Sequence, residues 1–111
     1  MTSGARAEQA AAQFLQRHGL TLIESNFRCR FGEIDLILRD ADVLVFAEVR
    51  QRSRSDFGGA AASINTRKQQ RLILTAQHYL ASLPRIPPCR FDALLLDGNG
   101  NIEWVKNAFE V

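Results

Sequence analysis

No stretch of this 111-residue chain is long and apolar enough to span a bilayer, and the N-terminal residues scatter charged and polar side chains among alanines where a secretory leader would be continuously hydrophobic. The expected location is therefore the cytoplasm. Cysteine is scarce: Cys29 and Cys89 have no CxxC spacing and no histidines at zinc-ligand spacing, so they read as small core fillers or exposed thiols, and no disulfide is expected. The only histidines, His18 and His78, lie far apart on predicted helices and read as capping or partly buried groups. Ser53, Ser55 and Ser63 consequently lack a partner for a nucleophilic dyad, and Gly58-Gly59 does not follow phosphate-loop spacing and reads as a turn. Lysine is limited to Lys68 and Lys106, leaving arginine to carry most of the positive charge.

What is present describes one globular domain spanning residues 1–111. Hydrophobic residues make up 46% and charged residues 23%, which suits a single core and argues against a disordered chain. The net charge of +2 is too small to identify a partner, but its placement is uneven. Arg50, Arg52, Arg54, Arg67, Lys68 and Arg71 face only Asp56 across residues 50–71, a candidate phosphate-contacting stripe and equally a solvated basic face.

Hydrophobic spacing predicts a helix over 5–18, with Ala7, Ala10, Ala11, Phe14 and Leu15 on one side and Gly19 as its C-terminal cap. Strands follow over 21–30, 33–39 and 43–51, separated by turns at Phe31-Gly32 and Asp40-Ala41-Asp42. A loop then leads to a helix capped by Ser63 or Asn65 and ending before Pro84. Strands over 90–96 and 102–105 flank the turn Asp97-Gly98-Asn99-Gly100-Asn101. The expected order is α-β-β-β-α-β-β, an α/β fold in which helices flank a mixed sheet. Trp104, Phe109 and Tyr79 could stack on bases, but their strand and helix positions read as core.

The two central strands each carry an acid inside an apolar run, Asp35 in Gly32-Glu33-Ile34-Asp35-Leu36-Ile37-Leu38 and Glu48 in Val43-Leu44-Val45-Phe46-Ala47-Glu48-Val49-Arg50. Buried carboxylates are costly unless a cation or hydrogen bonds compensate them. Period-two alternation puts Glu33, Asp35 and Ile37 on one face, with Ile34, Leu36 and Leu38 on the other; Leu44, Phe46, Glu48 and Arg50 likewise share a face. A hairpin at Asp40-Ala41-Asp42 would bring Asp35 roughly opposite Glu48. Mg²⁺ or Mn²⁺ is the expected cofactor. Hard cations take few protein oxygens and keep several waters, so Asp35, Glu48 and the Val49 carbonyl would suffice, with Arg50 as the neighbouring positive charge. Spacing alone leaves a second reading open, in which Glu48 pairs with Arg50 and Asp35 with a nearby arginine.

Glu8 on the first helix, Gly32-Glu33-Ile34-Asp35-Leu36-Ile37, Val45-Phe46-Ala47-Glu48-Val49-Arg50-Gln51-Arg52, Phe57-Gly58, Lys68 and Arg90-Phe91-Asp92 together resemble the YraN family. That family is similar to the PD-(D/E)XK nuclease fold and to archaeal Holliday junction resolvases. The resemblance runs from the first helix to Asn107-Ala108-Phe109. It implies that Asp35 and Glu48 are metal ligands, that Glu8 is a further catalytic acid, and that Glu33 is a supporting polar residue. It also implies a nucleic acid partner, DNA above all, and a symmetric homodimer.

Arg50 stands where such sites usually have lysine. Arginine keeps the charge and forks well onto phosphate, but it is larger and always protonated. Two functions follow as expectations: a metal-dependent endonuclease on structured or branched DNA, with catalytic residues Asp35, Glu48, Arg50 and Glu8, and a nucleic-acid-binding module that keeps the fold without cleaving. Lys68 reads more readily as a surface helix lysine than as a replacement ammonium.

Overall fold

The computed structural model describes residues 3–51 and 64–110. Arg52, Arg54, Phe57, Gly58-Gly59 and the serines at 53, 55 and 63 lie outside the described residues.

Seven elements appear in the expected order: α1 (Ser3–Arg17), β1 (Thr21–Cys29), β2 (Gly32–Asp40), β3 (Val43–Gln51), α2 (Thr66–Leu80), β4 (Cys89–Leu96) and β5 (Ile102–Phe109). The strands form one sheet in sequence order, antiparallel except for the β3–β4 pair, which runs parallel from Leu44↔Cys89 to Gln51↔Leu96. A parallel pair needs a long crossover, and α2 is the helix within it.

Each helix covers one face of the sheet. Ala7, Ala11, Ala12 and Leu15 of α1 pack with Leu36, Leu38, Val45, Ala47, Leu94 and Leu96. Alanines on this stripe let the helix lie close to the strands, and the fully buried Leu15 contributes about 1.5–3 kcal/mol by leaving water. On the other face, Leu72 and Ala76 of α2 pack with Ile37, Leu44, Phe46, Phe91, Ala93, Leu95 and Phe109. Phe109 stacks on Phe91 at 4.6 Å between ring centroids, and Tyr79 meets Phe27 and Phe46 edge-on, so both belong to this layer.

Local chemistry sets the element ends. Gly19 follows α1 with φ 93°, and the Leu20 N–H bonds back to the Leu15 carbonyl at 3.1 Å. His18 Nδ1 lies 2.8 Å from the Phe14 carbonyl, the capping role expected of it. Asn65 is the cap of α2, its side chain accepting from the Lys68 N–H at 2.8 Å. In the turn before β5, Asp97 Oδ1 accepts from the Asn99 and Asn101 amides. At Gly32 the backbone has φ 150°, and a Cβ there would lie 3.3 Å from Thr75 Oγ1 of α2. Glycine is therefore required both by conformation and by the close approach of the helix.

Two expectations need correction. Ile34 belongs to the α2-side cluster with Ile37, not to the face of Leu36 and Leu38. Pairing of β1 with β2 passes from Ser25↔Leu36 to Phe27↔Ile34 without joining Asn26 to Asp35, and Asn26 has φ 55°. The alternation breaks where the ladder does. The last strand extends to Phe109, well past residue 105. Its pairing shifts between Phe91 and Ala93, and Asn107, at φ 54°, donates its N–H to Asp92 Oδ1 at 2.9 Å, which scrambles the period-two signal.

Candidate functional site

The first turns of α1 and α2 approach the sheet at one place, where β2 begins and β3 ends. Glu8, Glu33, Asp35, Glu48, Val49, Arg50 and Lys68 line a single open cleft there. Six of these are expected site residues from the β2 and β3 motifs and the first helix; the seventh, Lys68, is expected in the basic stripe and more readily as a surface helix lysine than as a replacement ammonium.

The β2–β3 register, Leu36↔Ala47 onward, carries Asp35 opposite Glu48, as expected. Both are buried, Asp35 at 9% and Glu48 at 5% exposure. Asp35 Oδ2 accepts a hydrogen bond from the Val49 N–H at 2.8 Å, so it is the amide of Val49 that bears on the site. Burial, and next the negative charge of Glu48, push the Asp35 carboxyl up to about 6; the Val49 amide and the Lys68 charge work against that rise, while Glu33 adds to it.

Glu48 Oε1 has two cations. Lys68 Nζ lies 3.0 Å away and Arg50 Nη1 3.7 Å away. The expected neighbour of Glu48 is thus the looser of the two. Among the described residues, no arginine is paired with Asp35. Glu8 of α1 lines the same cleft as Asp35. Burial, and then the charge of Asp35, raise the Glu8 carboxyl, which a side-chain hydrogen bond to Asn26 partly offsets.

Asn26 is the residue that sequence reasoning missed. An asparagine within a strand, where its type is disfavoured, was the available signal. Glu33 sits on the rim in an exposed ion pair with Arg28 at 2.9 Å. Arg67 and Arg71 are exposed on α2 and do not line the cleft.

The donor chemistry fits a loosely held hard cation. Glu8, Asp35 and Glu48 offer oxygens of one charge sign, and the rise at Asp35, caused first by burial and next by Glu48, is one that a divalent ion would oppose. Among the described residues, however, no group of three His, Cys, Asp or Glu side chains is drawn together as an ion cage. Water and a substrate oxygen would have to complete the shell, as they commonly do for Mg²⁺.

Arg90-Phe91-Asp92 has a different job. Asp92, 1% exposed, accepts from Arg90 Nε at 3.0 Å, Trp104 Nε1 at 2.9 Å and the Asn107 amide, while Arg90 Nη1 bonds Asp40 at 3.0 Å. This network ties β4 to β5 and to Asp40 at the end of β2, with Asp92 opposite Ala47 of β3, the residue before Glu48. Trp104 is held by it and is not free to stack on bases. Burial pushes the Cys89 thiol up, which leaves it no activated nucleophile. Among the described residues, no helix is long and apolar enough to cross a membrane.

Comparison with known proteins covers most of the chain. Residues 7–96 match the uncharacterised protein family UPF0102. A UPF0102 protein of Nitrosomonas europaea is 62% identical over 109 residues, covering 96% of this chain and 92% of its own length. UPF0102 proteins of Dechloromonas aromatica and Cupriavidus metallidurans are 58% and 56% identical, covering 96% and 97% of this chain and 87% and 81% of their own lengths. The chain belongs to UPF0102, the YraN family.

Proposed function

We propose that this protein binds nucleic acid and acts as a metal-dependent endonuclease on structured or branched DNA. The observation that carries this reading is the meeting of Glu8, Asp35 and Glu48 with Lys68 and Arg50 in one cleft. Acids alone would repel a phosphodiester, and cations alone would hold it without reason to bury two carboxylates. Acids and cations together suit an ion and a phosphate side by side.

A bound Mg²⁺ or Mn²⁺ would supply Lewis-acid polarisation of the phosphate and acidify a water. Glu8, Asp35 and Glu48 would hold it, with the Val49 carbonyl as a fourth protein oxygen. The Val49 amide fixes the Asp35 carboxylate against β3, so this ligand needs no rearrangement on binding. Arg50, at the open end of β3, forks onto phosphate oxygens and steers the backbone into the cleft. Arg52, Arg54, Arg67, Lys68 and Arg71 would add to that attraction, and Glu33 supports the rim. In the hydrolysis, a water oxygen bonds to phosphorus as the bond from phosphorus to the leaving sugar oxygen breaks. The water gives up one proton to solvent and the leaving oxygen gains one. A symmetric dimer working in the cytoplasm would present two such clefts to a branched substrate.

The test is cleavage of end-labelled junction, flap, single-stranded and duplex DNA with Mg²⁺, Mn²⁺ or chelator. Metal-dependent cutting that Asp35→Asn and Glu48→Gln abolish while DNA binding survives is the expected result. A protein that cuts none of these with either metal is not this endonuclease.

One feature favours a second reading, a binding module without cleavage. Arg50 replaces the usual strand lysine, and it approaches Glu48 only to 3.7 Å. In that case DNA binding would be steeply salt dependent with no cutting, and Arg50→Lys would restore it.

A further inference from the structure

We propose that Lys68, carried on the first turn of α2, is the catalytic cation of this cleft, donating to a non-bridging oxygen of the scissile phosphate; this rests on the endonuclease reading above. Three observations bear on it. Its Nζ is the nearer cation to Glu48, at 3.0 Å against 3.7 Å for Arg50. Its charge also reaches Asp35, so a single ammonium faces both strand acids. Its backbone is fixed by the Asn65 cap at 2.8 Å, and the following turns are anchored by the buried Leu72, Thr75 and Ala76.

These features separate the two cations by what each can do. Arg50 lies on the last exposed turn of strand before residues 52–63 and presents a wide, planar fork. Lys68 presents a compact charge with three donors on a helix start packed against the sheet. One donor engages Glu48, and the others can point into the cleft. A donor already positioned by the fold stabilises charge growing on a phosphate oxygen without reorganising. No proton transfer is assigned to Lys68. The ammonium that nuclease-like sites take from β3 is supplied here from the crossover helix, and Arg50 is released to bind the backbone.

The experiment compares Lys68→Met, Lys68→Arg and Arg50→Met. Single-turnover cleavage with Mn²⁺ at saturating junction DNA should fall at least about 100-fold in Lys68→Met, while metal-free DNA affinity stays within about threefold. Arg50→Met should show its larger loss in affinity, with a salt slope smaller by about 1. Equal thermal midpoints for wild type and Lys68→Met exclude a folding defect, and Lys68→Arg provides a second variant that keeps the charge. Independently of cleavage, the ¹⁵Nζ resonance of Lys68 in metal-free protein should shift on adding junction DNA and should lose its protection from exchange in Glu48→Gln. Cleavage by Lys68→Met within about threefold of wild type, or an Nζ resonance that DNA does not move, overturns the assignment. Wild type that never cuts overturns the endonuclease reading instead, and the resonance alone then decides whether Lys68 meets the phosphate.

Discussion

The backbone N–H of Val49 donates to Asp35 Oδ2 across 2.8 Å, binding an acid of β2 to the main chain of β3 at the floor of the cleft. The pair shows how a buried carboxylate is kept in place when its charge is unwelcome. Asp35 is 9% exposed and faces Glu48, and one neutral amide does not offset burial and a second negative charge. The site is thus held in a strained electrostatic state by good local geometry.

That state predicts a pH dependence of stability. Burial and Glu48 carry Asp35 from an ordinary 3.8 up to about 6, so between those values the folded state holds more proton than the unfolded one. Stability from this group therefore falls as pH rises from about 4 to about 6, and the full penalty, on the order of 2–3 kcal/mol, stands above that window. Asp35→Asn keeps an acceptor for the Val49 amide and removes the charge. It should be the more stable protein in urea at about pH 7.5 and lose that advantage at about pH 3, where wild-type Asp35 is largely protonated in both states. A variant less stable than wild type at the higher pH would contradict the repulsion.

Divalent metal should act in the opposite sense. Mg²⁺ or Mn²⁺ at 100 times its dissociation constant should raise wild-type stability by about 2.7 kcal/mol at a single site, read as a higher thermal midpoint. Asp35→Asn and Glu48→Gln should each remove most of that increment. An equal metal response in all three proteins would place the ion elsewhere.

Gly32→Ala should destabilise the protein by about 1–3 kcal/mol, since alanine at φ 150° is strained and its methyl would press on the Thr75 hydroxyl at 3.3 Å. Chemical denaturation measures the loss. Thr75→Ser keeps the hydroxyl and should not relieve it.

Asn26→Gly should leave the left-handed backbone unstrained and remove the side-chain hydrogen bond that lowers the Glu8 carboxyl. The Glu8 titration, followed by its side-chain ¹³C signal, should move to higher pH. An unchanged midpoint would mean that Asn26 does not tune the site.

Asp92→Ala should cost about 3–5 kcal/mol by stranding Arg90 and leaving Trp104 and Asn107 without their acceptor. Because Asp92 is engaged by Arg90, Trp104 and Asn107 and does not line the cleft, the protein that remains folded should keep its metal response. Loss of that response at unchanged stability would instead put Asp92 in the site.

Much of this architecture was written into the chain. The limits of β3 and the cap at Asn65 follow from hydrophobic alternation and side-chain capping, both local effects. The meeting of Asp35 with Glu48 follows from a two-residue turn, whose register leaves little freedom. What escaped depends on chain segments distant in sequence. Lys68 reaches Glu48 only after the crossover brings α2 back over the sheet, and no spacing rule along residues 48–68 encodes a 3.0 Å contact. Ile34 lies on the α2 side with Ile37 while Leu36 and Leu38 lie on the α1 side, a break in alternation at Asp35 that periodicity does not register. Arg52 and Arg54 fall outside the described residues, so the basic stripe is placed only through Arg50, Arg67, Lys68 and Arg71.

The contact at Gly32 bears on how this family can diversify. Helix α2 approaches the main chain there through the Thr75 hydroxyl and the Arg71 Cβ, so its height over the start of β2 depends on the lack of a side chain at Gly32. Leu72, Ile73 and Ala76 can therefore be traded among residues of similar bulk while the offset between Lys68 and Asp35 persists. The glycine acts as a datum from which the spacing of the cleft is measured, and sequence drift in the surrounding core leaves that datum untouched.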